Sequence, residues 1–225
     1  MRCLIMSEIT KEQIEKTMAA LRKNNMQAHY VETKEQAKAL VCSLLEKGST
    51  VTHGGSVTLA QIGMTEVLKS GDYIYLDRSA EGLTREQVEE IYRKSFFADT
   101  YLTSANAITE NGELYNVDGN SNRVAAILYG PKSVIVIAGI NKIVPDIRAA
   151  VQRVKRTAAP QNTVRLNCKT PCAVTGECIS LKKENSFACD GCKSEARICC
   201  NYVVTAQQRH KDRIKVILVG EELGY

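Results

Sequence analysis

The chain has 225 residues, 44% of them hydrophobic and 24% charged, with a formal net charge of +5. A chain of this length buries roughly 70% of its unfolded surface and needs no disulfides to hold a core. The basic residues are mixed with acids, and the densest basic stretch, Arg148 to Arg165, reads as a solvated helix face, which argues against nucleic-acid binding.

Ile9, Ile14, Met18, Leu21 and Met26 recur at helical spacing among Lys and Glu, which predicts an amphipathic helix from Thr10 to Asn24. Asn24-Asn25 stops it, and Ala28 to Val31 reads as a short strand. Thr33 caps a second helix with Ala37, Leu40, Val41, Leu44 and Leu45 on its buried face, and Gly48 is expected to end it. Ser49 to Thr52 forms a strand that runs into His53-Gly54-Gly55-Ser56. Tyr73 to Leu76 is the next strand, and Thr84 to Phe97 the next helix, opened by a Thr84–Gln87 capping box. Thr100 to Ser104 is a strand, and Glu113 to Val117 is half of a hairpin after the Asn111-Gly112 turn. Ser133 to Ala138, apolar and largely β-branched, reads as a strand buried on both faces. Val144 to Thr157 follows as a helix with Pro145 in its first turn, and Ile214 to Val219 is the last strand. This alternation predicts an α/β fold built on a doubly wound, mostly parallel sheet with helices on both faces.

Met1 to Met6 is too short for a secretion signal, and the longest apolar run, Val134 to Ile140, falls far short of a membrane span. The expectation is a cytoplasmic protein, with no membrane or nucleic-acid partner. In a reducing compartment cysteines serve metals or redox chemistry more often than disulfides.

Past Pro160 the texture changes. Residues 167–200 hold seven of the nine cysteines and few periodic apolar residues, so they read as a loop-rich insertion in a single domain spanning 1–225. Cys168, Cys172, Cys178, Cys189, Cys192, Cys199 and Cys200 are spaced closely enough for loops to wrap one centre. Four thiolates suit zinc or an iron–sulfur cluster. A stretch this polar needs something to order it, and metal binding supplies folding free energy. Spacing alone favours Cys189 and Cys192 with two of Cys172, Cys178 and Cys199. Cys3 and Cys42, each isolated, read as buried or free thiols.

Several polar loops fall at predicted strand ends, where open parallel sheets bind ligands. Gly54 and Gly55 let a ligand approach the backbone, and Ser56 and Thr58 add hydroxyls. Asn106, Asp118, Asn122 and Arg123 lie in two further loops, and Asn141 and Lys142 in a fourth. Together they predict a site for a small anionic metabolite, a phosphate or carboxylate. Asp118 and Glu110 are the candidate catalytic bases, although Asp118 could equally cap its own turn. His53 is a third acid–base group in these loops, although a hydrogen-bonded core histidine is its more common fate.

The blocks His53–Leu59, Leu102–Thr109, Gly112–Gly119, Asn122–Ala126, Gly139–Ile143, Ala159-Pro160 and Val219–Gly224 resemble the LUD-domain family, including its lactate-utilisation protein C (YkgG-like) group. The resemblance implies a fold similar to the NagB/RpiA/CoA-transferase group and a link to lactate oxidation alongside iron–sulfur partner proteins. It also implies a cysteine motif that lands here on Cys172, Cys178, Cys192 and Cys199. Residues Ile179 to Cys189 are inserted within that motif, which leaves Cys189 as an alternate ligand. Three functions compete on this reading. The first is a metabolite-binding protein of lactate or other organic-acid metabolism with a Cys-ligated metal. The others are an iron–sulfur electron-transfer or redox-sensing accessory, and an independent sugar-phosphate- or acyl-CoA-acting enzyme.

Overall fold

Residues 9–225 are described in this computed structural model; the Met1–Met6 start and Cys3 lie outside them. Three helices open with the same device, a threonine whose hydroxyl accepts from the backbone three residues on while a glutamine there reaches back. Thr10 and Gln13 start α1 (Lys11–Lys23), Thr33 and Gln36 start α2 (Lys34–Leu44), and Thr84 and Gln87 will start α5. Between α1 and α2 lies β1 (Gln27–Val31), and after α2 comes β2 (Thr50–His53). Two short helices, α3 (Val57–Gln61) and α4 (Met64–Leu68), lead to β3 (Ile74–Leu76) and α5 (Arg85–Lys94). Then come β4 (Thr100–Thr103), β5 (Ala107–Thr109), β6 (Leu114–Asp118), α6 (Asn122–Leu128), β7 (Ser133–Gly139) and β8 (Ile143–Val144). The chain ends with α7 (Ile147–Arg153), α8 (Ala159–Arg165), α9 (Pro171–Thr175), β9 (Asn201–Thr205) and β10 (Ile214–Val219).

Six strands form a wholly parallel sheet in the order β1-β10-β7-β4-β2-β3. Alternate residues of β7 and β10 feed opposite cores, as the pleat requires. Val134, Val136, Val216 and Leu218 pack with Ile14 and Leu21 of α1 and with Ile127 of α6. Ile135, Ile137, Ile217 and Val219 pack on the other face with Val41 of α2, Leu59 of α3 and Leu68 of α4. A second sheet, β8-β5-β6-β9, stands beside the first, with Tyr115 packed over Ala150, Val154 and Ala158. Its β5–β6 hairpin turns at Gly112, where φ is +78° and an added Cβ would lie 2.6 Å from the backbone of α1.

The chain after β2 runs through α3 and α4 to β3 on one side, whereas β4 lies on β2's other side and leads toward α6 on the opposite face. The C-terminal ends of β2 and β4 therefore diverge and leave a crevice.

Some expectations need correction. Leu45 caps α2, so Gly48 does not end it; Gly48 instead shapes the turn into β2, donating to Asp72 O at 2.8 Å. Val144 belongs to β8, and Asp146 rather than Pro145 marks the start of α7. That helix continues past Thr157 through a widened turn, Val154–Ala158, into α8. There Ala159 N–H reaches back to Val154 O, and the widened turn absorbs the donor that Pro160 lacks. Asn122 and Arg123, read as loop, form the first turn of α6. No helix among the described residues is long and apolar enough to cross a membrane.

Candidate functional site

The crevice holds a cavity of about 300 Å³. Gly55, Ser56 and Thr58 wall it after β2, Ser104 and Asn106 after β4, and Asp118, Asn122 and Arg123 at the β6–α6 junction. Lys142 reaches it from the turn after β7 and is only 3% exposed. Its Nζ donates to Thr58 Oγ1 at 3.0 Å and to Ser104 Oγ at 2.9 Å. Burial, then the Arg153 and Arg123 charges, push this ammonium down to about 7. Arg78 and Arg165 complete the cationic wall, and Asp118 is the one acidic side chain on it among the described residues.

Arg123 serves the fold. Its guanidinium donates to Asn116 Oδ1 at 2.7 Å, Val117 O at 2.9 Å, Asn106 Oδ1 at 3.1 Å and Ser104 O at 3.2 Å. It also lies 3.5 Å from Asp118 Oδ2. Asp118 is similarly committed, accepting from Ser121 N at 3.3 Å and Val124 N at 3.2 Å. Ser56 Oγ accepts from Leu59 N at 3.3 Å as the cap of α3. By contrast, Arg78, Arg165 and Lys142 have no acidic partner among the described residues. Three uncompensated cations in a crevice favour an anion.

The remaining predicted residues fall elsewhere. Gly54 lies behind the wall, where an added Cβ would come within 3.0 Å of Arg123 and of Tyr101 Oη. Asn141 faces the C-terminal segment, accepting from Leu223 N at 3.2 Å and donating to Gly224 O at 3.3 Å. Glu110 is remote from the cavity and is paired with Lys16 at 2.8 Å. His53 Nδ1 meets Gly54 O at 2.7 Å and so carries the proton, and Nε2 accepts from Tyr75 Oη at 2.6 Å. Both ring nitrogens are occupied, and burial holds the imidazole neutral.

A second cavity, of about 30 Å³, is lined by Cys172, Cys178, Cys192 and Cys199. It offers room for an ion or one or two waters. Cys189 and Cys200 are exposed, and neither they nor Cys168 line it. Cys172 Sγ lies 3.3 Å from Thr170 Oγ1, and Cys178 Sγ 3.3 Å from Ser180 Oγ. Burial, then the neighbouring Cys172 and Cys178, push the Cys199 thiol up to about 12. The chemistry of this donor set fits a soft dication, because negative charge gathered here has too little water to stabilise it. The spacing is looser than that of a closed site: among the described residues, no group of three or more His, Cys, Asp or Glu is set to hold an ion as it stands. Two cations also tie these loops together. Arg197 donates to the carbonyls of Cys199, Cys192 and Cys189 at 2.7, 2.8 and 2.9 Å, and Lys155 to Phe187 O at 2.8 Å.

The sequence profile of the LUD domain matches residues 14–219. The chain belongs to the LUD domain family. Membership supports a role related to lactate utilisation. No curated protein matches the sequence. Among solved structures, a DUF162 family protein from Deinococcus radiodurans is similar at 14% identity and a TM-score of 0.47, over 92% of this chain and 94% of that one. The eIF2B beta structure from Chaetomium thermophilum is similar at 14% identity and a TM-score of 0.34, over 50% of this chain and 43% of that one.

This LUD domain also uses residues that sequence reasoning passes over. Arg78 lies over the Tyr92 ring, 4.8 Å from its centroid, and follows β3 just as the predicted loops follow their strands. The same strand-end rule points to it. Arg165 donates to Tyr225 Oη at 2.6 Å and lines the cavity from the end of α8, although the sequence reads it as part of a solvated basic helix face.

Proposed function

We propose that this LUD domain binds a small organic acid in the crevice between β2 and β4 and contributes to lactate or related organic-acid metabolism, with iron–sulfur proteins as its candidate partners. The observation that carries this reading is a 300 Å³ cavity whose Arg78, Lys142 and Arg165 have no acidic partner among the described residues. Calorimetric titration with lactate, pyruvate, inorganic phosphate, a sugar phosphate and an acyl-CoA tests it. Saturable binding of an organic acid that Lys142→Met weakens is the expected result; no binding by any of them ends the reading. Catalysis by Asp118 or Glu110 has less support, since the first holds two backbone N–H groups and the second is remote.

We also propose that Cys172, Cys178, Cys192 and Cys199 hold a metal, which would supply electrostatic cross-linking of the tail. The small cavity favours one zinc over an iron–sulfur cluster. Elemental analysis of anaerobically purified protein separates the two: colourless protein with stoichiometric zinc supports the first. Iron with acid-labile sulfide supports the electron-transfer or redox-sensing reading instead.

A further inference from the structure

Lys142 is buried at the cavity wall in an arrangement that a simple anion-binding role leaves unexplained. Thr58 and Ser104 direct their own hydroxyl protons elsewhere, to Leu223 O at 3.4 Å and to Ala105 O at 3.4 Å. Both therefore meet Lys142 Nζ as acceptors. Two N–H donations leave one tetrahedral position on the nitrogen, and Lys142 lines the cavity. In the ammonium that position carries a third N–H; in the free amine it carries the lone pair. A carboxylate partner would hold the ammonium, and there is none among the described residues. Arg123 and Arg153 are the charges acting on the group, and both are positive. Together with burial they bring Lys142 to about 7, so amine and ammonium coexist at neutral pH.

We infer that Lys142 reversibly captures a small 2-oxo acid as an imine within the cavity. The inference rests on the organic-acid reading above and deepens it: the unpaired cations select the carboxylate, and the amine reacts with the neighbouring carbonyl. The Nζ lone pair forms a bond to the keto carbon while the carbonyl π pair moves to oxygen. A proton passes from nitrogen to that oxygen, with the Ser104 and Thr58 hydroxyls in reach as relays, giving a carbinolamine. Its C–O bond then breaks, a second proton leaves nitrogen with the departing hydroxyl as water, and the C=N bond forms. Amine and ketone become imine and water, with no oxidation or reduction.

Reductive trapping tests this on the intact protein. Pyruvate or glyoxylate is added with sodium cyanoborohydride, and the products are weighed and peptide-mapped, with calorimetric binding of pyruvate measured on the same preparation. A dominant adduct on Lys142, about tenfold or more above any surface lysine, is expected, with loss of that adduct in Lys142→Arg. Mapping the wild type alone decides the site should the variant fail to fold. Pyruvate that binds but leaves Lys142 unmodified overturns the imine and keeps the cavity reading. Adducts spread evenly over exposed lysines overturn it as well. Absence of both binding and adduct overturns both readings.

Discussion

The two cavities of this LUD domain carry opposite electrostatic problems. At the sheet rim, Arg78, Lys142 and Arg165 gather positive charge with no acidic partner among the described residues, the wall's Asp118 being paired with Arg123. Around the second cavity, four thiols can gather negative charge, and Lys155 and Arg197 mainly serve backbone carbonyls there. The first calls for an anion and the second for a cation. They also differ in support: strand ends aim Arg78 and Lys142 and α8 carries Arg165, whereas hydrogen bonds from two cations lace loops around the thiols. Ile198 lines both cavities, and its backbone packs about 3.2 Å from where a Cβ on Gly119 would sit. A change in the thiol region thus has a short path to the rim.

The strongest way to test the contrast is to remove the thiols. Cys172→Ser with Cys199→Ser should reduce bound metal to background and lower stability by on the order of 5 kcal/mol or more, by loss of metal-linked folding energy. Metal analysis and urea unfolding with and without chelator measure this. A chelator-insensitive wild type would remove the metal and leave the Arg197 lacing as the sole organiser. Next in size is Arg123→Ala, which takes the guanidinium donor from the buried Asn116 Oδ1 and from Val117 O and leaves Asn106 Oδ1 and Ser104 O with one donor fewer each. Destabilisation of about 3–5 kcal/mol in urea is expected, and Arg123→Lys should rescue little because one ammonium cannot reproduce the planar fork.

Arg123 also shows where sequence reasoning reaches its limit. A cation in a polar loop at a strand end suggests ligand binding, but its acceptors come from residues 104–117, which only the β5–β6 hairpin brings around it. The parallel sheet is legible because Val134–Ile137 and Val216–Val219 are apolar at consecutive positions, as a strand covered on both faces requires. The helix caps are legible because Thr and Gln three apart act locally. β9 is not, since Asn201–Thr205 is a short strand lying against β6, with little burial to pattern it. Cys172, Cys178, Cys192 and Cys199 line one cavity while Cys189 is exposed, an arrangement of loops that spacing along the sequence does not describe.

Lys142 sharpens the contrast through pH. Its folded pKa is lowered from 10.5 to about 7, so between those values the unfolded chain binds more protons than the folded one. Stability should therefore rise as pH climbs from about 7 toward 10, as the penalty for burying the ammonium disappears. The ceiling is a few kcal/mol, since each tenfold loss of proton affinity on folding is worth about 1.4 kcal/mol. Urea unfolding at pH 7 and pH 9.5 should show this gain in the wild type and not in Lys142→Met. A bound hydroxy acid such as lactate, which has no keto group to form an imine, should flatten the trend by holding the ammonium form. Equal pH slopes in the two proteins would mean that Lys142 is solvated rather than buried at the cavity wall.

The smallest effect is expected where the fold separates a candidate acid from both cavities. Glu110 is held by Lys16 at 2.8 Å and Gln13 at 3.0 Å, and these hydrogen bonds lower its pKa. Such a carboxylate contributes stability above its unfolded pKa and loses it as pH falls through the folded one. Lys16 is 59% exposed, so solvent screens the pair and Glu110→Gln should cost about 0–1 kcal/mol at pH 7. Organic-acid affinity and metal content should be unchanged in this variant, because the contacts it alters tie α1 to the turn after β5 and touch neither cavity. A severalfold loss of organic-acid binding in Glu110→Gln would break the division into two independent sites and require a coupling through α1.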